Sequence, residues 1–259
     1  MSQSKKKQLK KILTKLAVLL IWLGVWQAAF IAVGQQILFA SPVQVVCRIF
    51  ELVTKTEFWQ SVALSFLRIS AGYLLGVFFG VLLAAVTSRF RLLRSLFEPV
   101  LTLSRATPVA SFIILALVWI QKDYVPVFIV FLIVLPIIWA NVRKGIEETD
   151  SEYLEAAKIF GFGFLKKVKT VYLPCVLPYF AAGCTTALGM AWKSGVAAEV
   201  LAMPIRSIGY NLYRSKINIE TADLFAWTAV VIILSVILEK LIVFLLGKIK
   251  EGKANAKSQ

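Results

Sequence analysis

The sequence predicts an all-α integral membrane protein with six transmembrane helices, and three observations carry that expectation. Of its 259 residues, 59% are hydrophobic and 17% charged, whereas soluble domains hold about 45–50% apolar and about 25% charged residues. Six runs are long and apolar enough to cross roughly 30 Å of hydrocarbon, which takes about 20 helical residues. They are 16–34, 61–87, 96–120, 124–142, 171–192 and 224–246. The 29 Lys and Arg residues are unevenly shared: nineteen lie in 1–15, 88–95, 143–170 and the segment after 247, seven in 35–60, at Lys122 and in 193–223, and Arg68, Arg105 and Lys240 within the apolar runs. Loops rich in Lys and Arg stay in the cytoplasm. Both termini are therefore expected inside.

The same composition narrows the function. Net charge is +15, but the cations cluster beside apolar runs instead of lining one face of a soluble fold, so nucleic acid is not the expected partner. The absence of histidine removes HExxH zinc sites, Ser-His-Asp triads and Cys-His dyads together. Cys47, Cys175 and Cys184 have neither disulfide nor zinc-site spacing and read as apolar fillers. GxSxG and P-loop patterns are missing as well. No catalytic or metal-binding residue is expected, and any energy consumed is consumed by another chain.

Taken in order, residues 1–15 form a basic tail containing KKKQLKK, followed by the first span. That apolar run is too long for a signal peptide, and IAVGQQILFASP lacks an A-x-A cleavage site. Residues 35–60 lie outside and are apolar enough for a short helix on or in the membrane. In 61–87, Gly72, Gly76 and Gly80 repeat GxxxG, the spacing that lets helix backbones approach closely; internal packing and a subunit seam both fit. Arg68, early in this span, is expected to snorkel outward. The third span carries Arg105 and Pro108. A charge within a span is a functional candidate by default, with snorkelling beside a proline kink as its alternative.

After the fourth span, 143–170 is cytoplasmic. Beyond the fifth, 193–223 lies outside, with SGVAAEVLAMP as a short helix and with Lys193 and Glu199 near the outer mouth. Those two fit an ordinary interfacial ion pair or a functional pair of charges. Trp22, Trp119, Trp139 and Trp192 suit interfacial or packing positions. A basic tail, 248–259, closes a single membrane domain of 16–247.

The cytoplasmic stretch 149–174 is the unusual one. Thr149 and Glu152 have capping-box spacing, placing a helix start near Asp150. Tyr153, Ala156, Ala157 and Phe160 then form one narrow apolar stripe. Gly161 stops the helix, as glycine does where φ must be positive. In a second helix Phe164, Val168 and Val171 oppose Lys166, Lys167 and Lys169, and Pro174 and Pro178 open the next apolar run. Spacing alone fits either an interfacial hairpin covering its own bundle or a helix-turn-helix handle.

At this point a resemblance becomes specific. Glu155-Ala156-Ala157, three residues, Gly161, nine residues and Val171-Tyr172-Leu173-Pro174 resemble the EAA loop of ABC importer permeases, with valine for isoleucine as the departure. AWKSGVAAEVL at 191–201 is similar to the AW-xxx-VAAE signature of the nitrate, sulfonate and taurine type, and RATP at 105–108 to the R-x-x-P of such importers. Lys193-Ser194-Gly195, and WIQKDY in place of a W-F-G turn, depart from that subfamily's usual pattern.

The resemblance implies a type I ABC importer permease fold in a bacterial inner membrane. It also implies a second permease copy, as a homodimer, and an extracytoplasmic substrate-binding protein. Cytoplasmic ATPase subunits carry the ATP and Mg. Tyr153, Glu155, Ala156, Ala157, Phe160, Gly161, Leu173 and Pro174 would form the ATPase-coupling site. Arg105, Pro108, Lys193 and Glu199 are the pathway candidates. The expected solute is a small anion, with a vitamin or pyrimidine precursor as the alternative. Outside the importer class, a non-transporting scaffold or sensor remains, whereas a membrane enzyme would need paired aspartates within spans. Asp123, Asp150 and Asp223 all fall in expected loops.

Overall fold

The structure is a computed structural model that describes residues 3–255; residues 1–2 and 256–259 of the expected tails lie outside the described residues. The helices are α1 (Gln3–Val33), α2 (Pro42–Val53), α3 (Thr56–Arg89), α4 (Arg91–Ala106), α5 (Val109–Trp119) and α6 (Val125–Glu147). They continue with α7 (Ser151–Ile159), α8 (Phe164–Lys167), a π turn over Val168–Tyr172, α9 (Leu173–Ala202), α10 (Ile208–Ile217) and α11 (Thr221–Asn255). Five stretches are long and apolar enough to cross a membrane, and a sixth counts if α4 and α5 form one broken span. The chain divides into two units: Met1–Trp59 with Asn211–Val230, and Gln60–Tyr210 with Val231–Gln259.

In the first unit, α1 starts at Gln3, so lysines expected in a loose tail instead extend the first helix. Lysine is a good helix former, and no Gly or Pro interrupts before Gly24. Its apolar residues face outward on every side, with Ile21 64% and Trp22 69% exposed; a helix apolar all round suits lipid. A capping box starts α2. Gln44 N–H donates to Ser41 Oγ at 3.2 Å, and Ser41 N–H donates to Gln44 Oε1 at 2.9 Å. Pro42 takes the first helical position, where its missing N–H costs nothing. Arg48 donates to both carboxylate oxygens of Asp223, in the first turn of α11, and to Glu51 at 2.5 Å.

The second unit is built around α6, where Val125, Ile129, Val130, Val134 and Ile138 are fully buried. Gly72, Gly76 and Gly80 of α3 lie against Val130, Val134 and Ile138, one helical turn apart on both sides. A Cβ at Gly80 would come within 2.9 Å of the Ile138 Cβ. The glycine ladder thus packs within the chain. α9 covers α6 in the same way, with Gly183 against Asn141 and Gly145 against Val176. Trp139 and Trp192 are buried, donating to Thr87 Oγ1 at 2.9 Å and to the Val231 carbonyl at 3.0 Å. Trp22 and Trp119 are exposed.

Three expectations change. The run 96–120 is not one straight span: α4 and α5 meet at 107°. Thr107 precedes Pro108, and the proline ring holds it extended, at φ −78° and ψ 134°, which ends α4. SGVAAEVLAMP is not a separate short helix, because α9 runs unbroken to Ala202 and stops where Met203 turns left-handed. Pro174 and Pro178 do not open a new helix either, since helical structure is continuous from Phe164. Pro174 cannot donate and crowds the carbonyl four residues earlier. The π turn just before it accommodates that clash, with Leu173 N–H bonding five residues back to Val168.

Candidate functional site

The 149–174 stretch folds into two helices joined at Gly161. Asp150 caps α7, accepting from the Glu152 N–H at 2.9 Å. Thr149, the cap expected from sequence, instead donates to the Gly145 carbonyl at 3.1 Å and is buried. Asp150 lies one residue closer to the helix, and aspartate is among the preferred N-caps. At the far end Phe162 N–H donates to the Ala157 carbonyl at 2.8 Å and Gly161 N–H to Lys158 at 3.1 Å. With Gly161 at φ +63°, this is a Schellman motif. The angle between α7 and α8 is therefore fixed by backbone bonds.

Tyr153, Ala156, Phe160, Phe162, Val171 and Pro174 line an apolar cleft between α7 and the turn leading into α9. Ala157 is buried beneath it at 2% exposure. Large apolar side chains crowd the corner yet stay open: Ile159 is 83%, Phe160 74%, Phe164 79% and Leu165 80% exposed. Phe164 and Val171, on one side of the second helix by their spacing, part company: Val171 is buried and Phe164 exposed. Tyr153 and Leu173 are exposed as well. So is Glu155, for which no hydrogen bond or ion pair is found among the described residues. Lys166 sits 4.1 Å over the Phe162 ring. The module presents greasy anchors on a rigid corner with an unengaged carboxylate beside them.

The pathway candidates do not gather in one place. Arg105, at the end of α4, donates to the Pro136 carbonyl on α6 at 3.0 Å, next to the bend at Pro108. Lys193 is exposed. Glu199 is fully buried and does not pair with Lys193. Its Oε2 accepts from Ser65 Oγ at 2.7 Å and from the Gly209 N–H at 3.2 Å. Ser65 Oγ accepts in turn from Ile208 N–H at 2.9 Å, so Glu199 holds the first turn of α10.

One amino group of Arg68 reaches the connection between α5 and α6 and donates to Asp123 at 3.0 Å. The other stands 3.8 Å from Glu199 Oε1, and both of those atoms are buried without hydrogen-bond partners. A buried carboxylate needs a cation nearby, and among the described residues Arg68 is the one paired with Glu199. Sequence reasoning passed over Ser65, although its i, i+3 spacing puts it on the same face of α3 as Arg68.

The family described as "Binding-protein-dependent transport system inner membrane component" matches residues 76–253. The nitrate import permease protein NrtB of Synechococcus elongatus is 27% identical over 208 residues, covering 76% of this chain and 74% of that protein. The bicarbonate transport system permease protein CmpB of Synechococcus elongatus is 26% identical over 160 residues, 61% of this chain. That match spans 57% of the bicarbonate permease, a little over half its length. Among solved structures, a bacterial ABC transporter involved in the import of the acidic polysaccharide alginate superposes with a TM-score of 0.65 at 15% identity. The superposition covers 95% of this chain and 99% of that one, so the two share a fold.

Proposed function

The chain belongs to the family of binding-protein-dependent transport system inner membrane components, and from that premise we propose that it forms the solute pathway of an ATP-binding-cassette importer. In this reading the α7–Gly161–α8 corner faces the cytoplasm and docks on a separate ATPase subunit, which carries the ATP and Mg. Both termini are cytoplasmic, and a second copy of the chain completes the pathway as a homodimer. A binding protein delivers solute from the other side. The chain itself catalyses nothing.

The observation that carries this reading is the exposed apolar corner. Ile159, Phe160, Phe164 and Leu165 are each more than 70% exposed on a turn locked by a Schellman motif. Exposed apolar patches of this kind mark protein contacts, and aromatic anchors dominate the energy of such contacts. Glu155 supplies a carboxylate for an arginine or backbone N–H of the partner. The relatives named for nitrate and bicarbonate support a small anion as solute, and the AW-xxx-VAAE resemblance extends that class to sulfonates and taurine.

The test is co-purification of the tagged chain with the ATPase encoded beside it, comparing wild type, Gly161→Pro and Glu155→Arg. Wild type retains the ATPase, and both variants lose it while still inserting into the membrane. Equal retention by all three refutes the docking role of this corner.

A further inference from the structure

Four side chains outside the docking corner form a closed ring of alternating charge. Arg94 and Glu98 lie one turn apart on α4, and Arg143 and Glu147 one turn apart at the end of α6. Arg94 Nε meets Glu98 at 3.3 Å, Glu98 meets Arg143 Nη1 at 3.1 Å, Arg143 Nε meets Glu147 at 3.6 Å, and Glu147 meets Arg94 Nη1 at 3.0 Å. Isolated surface pairs contribute little, but a network of several charges holds geometry better. This one is also anchored from below. The Arg143 guanidinium lies 4.7 Å over the Trp139 ring, and Trp139 is buried and donates to Thr87 of α3.

A second tie joins the same two helices. Arg105 of α4 donates to the Pro136 carbonyl of α6. From Glu98 to Arg105 is seven residues forward, and from Arg143 to Pro136 is seven residues back. The two ties are therefore about 10 Å apart along both helices at 1.5 Å per residue, so α4 runs antiparallel along α6 as a strut pinned at two levels. At one end of the strut, Glu147 is the last residue of α6, three residues before the cap of α7. At the other end lies the 107° bend into α5.

We propose that Arg94, Glu98, Arg143 and Glu147 are positioning residues that pass displacement of α7 to the α4–α5 bend, making α4 a second mechanical arm of the docking corner. This rests on the reading of that corner as the ATPase contact. α6 and α7 are covalently continuous, so a partner that moves α7 moves the end of α6. The ring then moves α4 with it, and the bend at Thr107–Pro108 takes up the angle.

The test uses charge swaps that keep net charge and every pair within a helix. Arg94→Glu with Glu98→Arg turns both contacts between α4 and α6 repulsive, and so does Arg143→Glu with Glu147→Arg. All four together restore attraction. Spin labels at Leu92→Cys on α4 and Glu152→Cys on α7, with the three native cysteines replaced, report the α4–α7 distance in the ATPase-bound transporter with and without ATP. With the ring intact the mean distance stays constant between nucleotide states. Either swap alone makes it shift by about 5 Å, one helical turn, and the fourfold variant returns it to constant.

A distance that shifts equally with the ring intact overturns the proposal. So do single swaps that leave it constant, or a fourfold variant that fails to recover. Loss of ATPase binding by a single swap overturns it too, because the ring would then only shape the docking corner. Failure of the intact chain to bind the ATPase is a separate result, and it refutes the docking reading itself.

Discussion

Replacing Gly76 by alanine tests the close α3–α6 contact in the second unit. An added Cβ would lie 2.6 Å from Val134 Cβ, 2.7 Å from Val134 Cγ1 and 3.2 Å from the Phe131 carbonyl, whereas ordinary contacts are 3.4–4 Å. Val134 cannot step aside. It is fully buried, and a β-branched residue in a helix has essentially one χ1 rotamer. α3 must therefore lift from α6 by roughly 1 Å, opening gaps at Gly72 and Gly80 on either side. Overpacking of this kind costs about 1–3 kcal/mol. The better helix propensity of alanine offsets roughly 1 kcal/mol of that. The net expectation is a destabilisation of up to about 2 kcal/mol. Gly24→Ala is the control, since nothing lies within 4 Å of its added Cβ; it keeps the propensity gain and loses nothing. Thermal unfolding of the detergent-purified chain reads both variants: the midpoint falls for Gly76→Ala and holds or rises for Gly24→Ala. Equal midpoints for the two would refute the argument that backbone proximity governs this seam.

Further outcomes follow from the same structure. Glu199→Ala leaves Arg68 short of its buried partner and strips Ser65 and Gly209 of their acceptor. Breaking a buried pair costs about 3–5 kcal/mol, so this variant unfolds well below wild type, whereas Lys193→Ala, at an exposed position, does not. Gly161→Ala forces a Cβ onto a residue at φ +63° and costs about 1–2 kcal/mol. Gly163→Ala, at φ −61°, is the near-neutral companion, and a limited-proteolysis rate at the α7–α8 corner separates the two. Ser41→Ala removes one half of a reciprocal cap and lowers stability by about 1 kcal/mol, read in the same thermal assay.

Much of the fold was legible because it rests on local rules. Gly161 sits where a helix with a narrow apolar stripe must end, and it adopts the positive φ expected there. Gly72, Gly76 and Gly80 announced a close helix approach, although only the structure identifies α6 as the partner. A proline kink at Pro108 was among the readings, but the size of the bend was hidden because hydropathy sums composition and is blind to direction. The end of the fifth span was misplaced for a related reason. Lys193 and Glu199 break the apolar run, yet α9 continues through both, since Lys193 faces outward and Glu199 is compensated by Arg68. That compensation comes from a residue 131 positions away in the sequence, beyond the reach of any local pattern. The charge ring was invisible for the same reason: its two halves are ordinary i, i+4 pairs until α4 and α6 come together.

The π turn at Val168–Tyr172 has a consequence for how this segment tolerates change. One extra residue in a helical turn rotates everything on its N-terminal side by about 100° relative to a regular helix. That rotation helps decide which way Phe164 and Leu165 point. A substitution between Gly161 and Pro174 alters one side chain, whereas a single-residue deletion or insertion swings the whole exposed corner to another bearing. The length of this connection is therefore under tighter constraint than its composition: the segment can drift in identity, but it has to keep count.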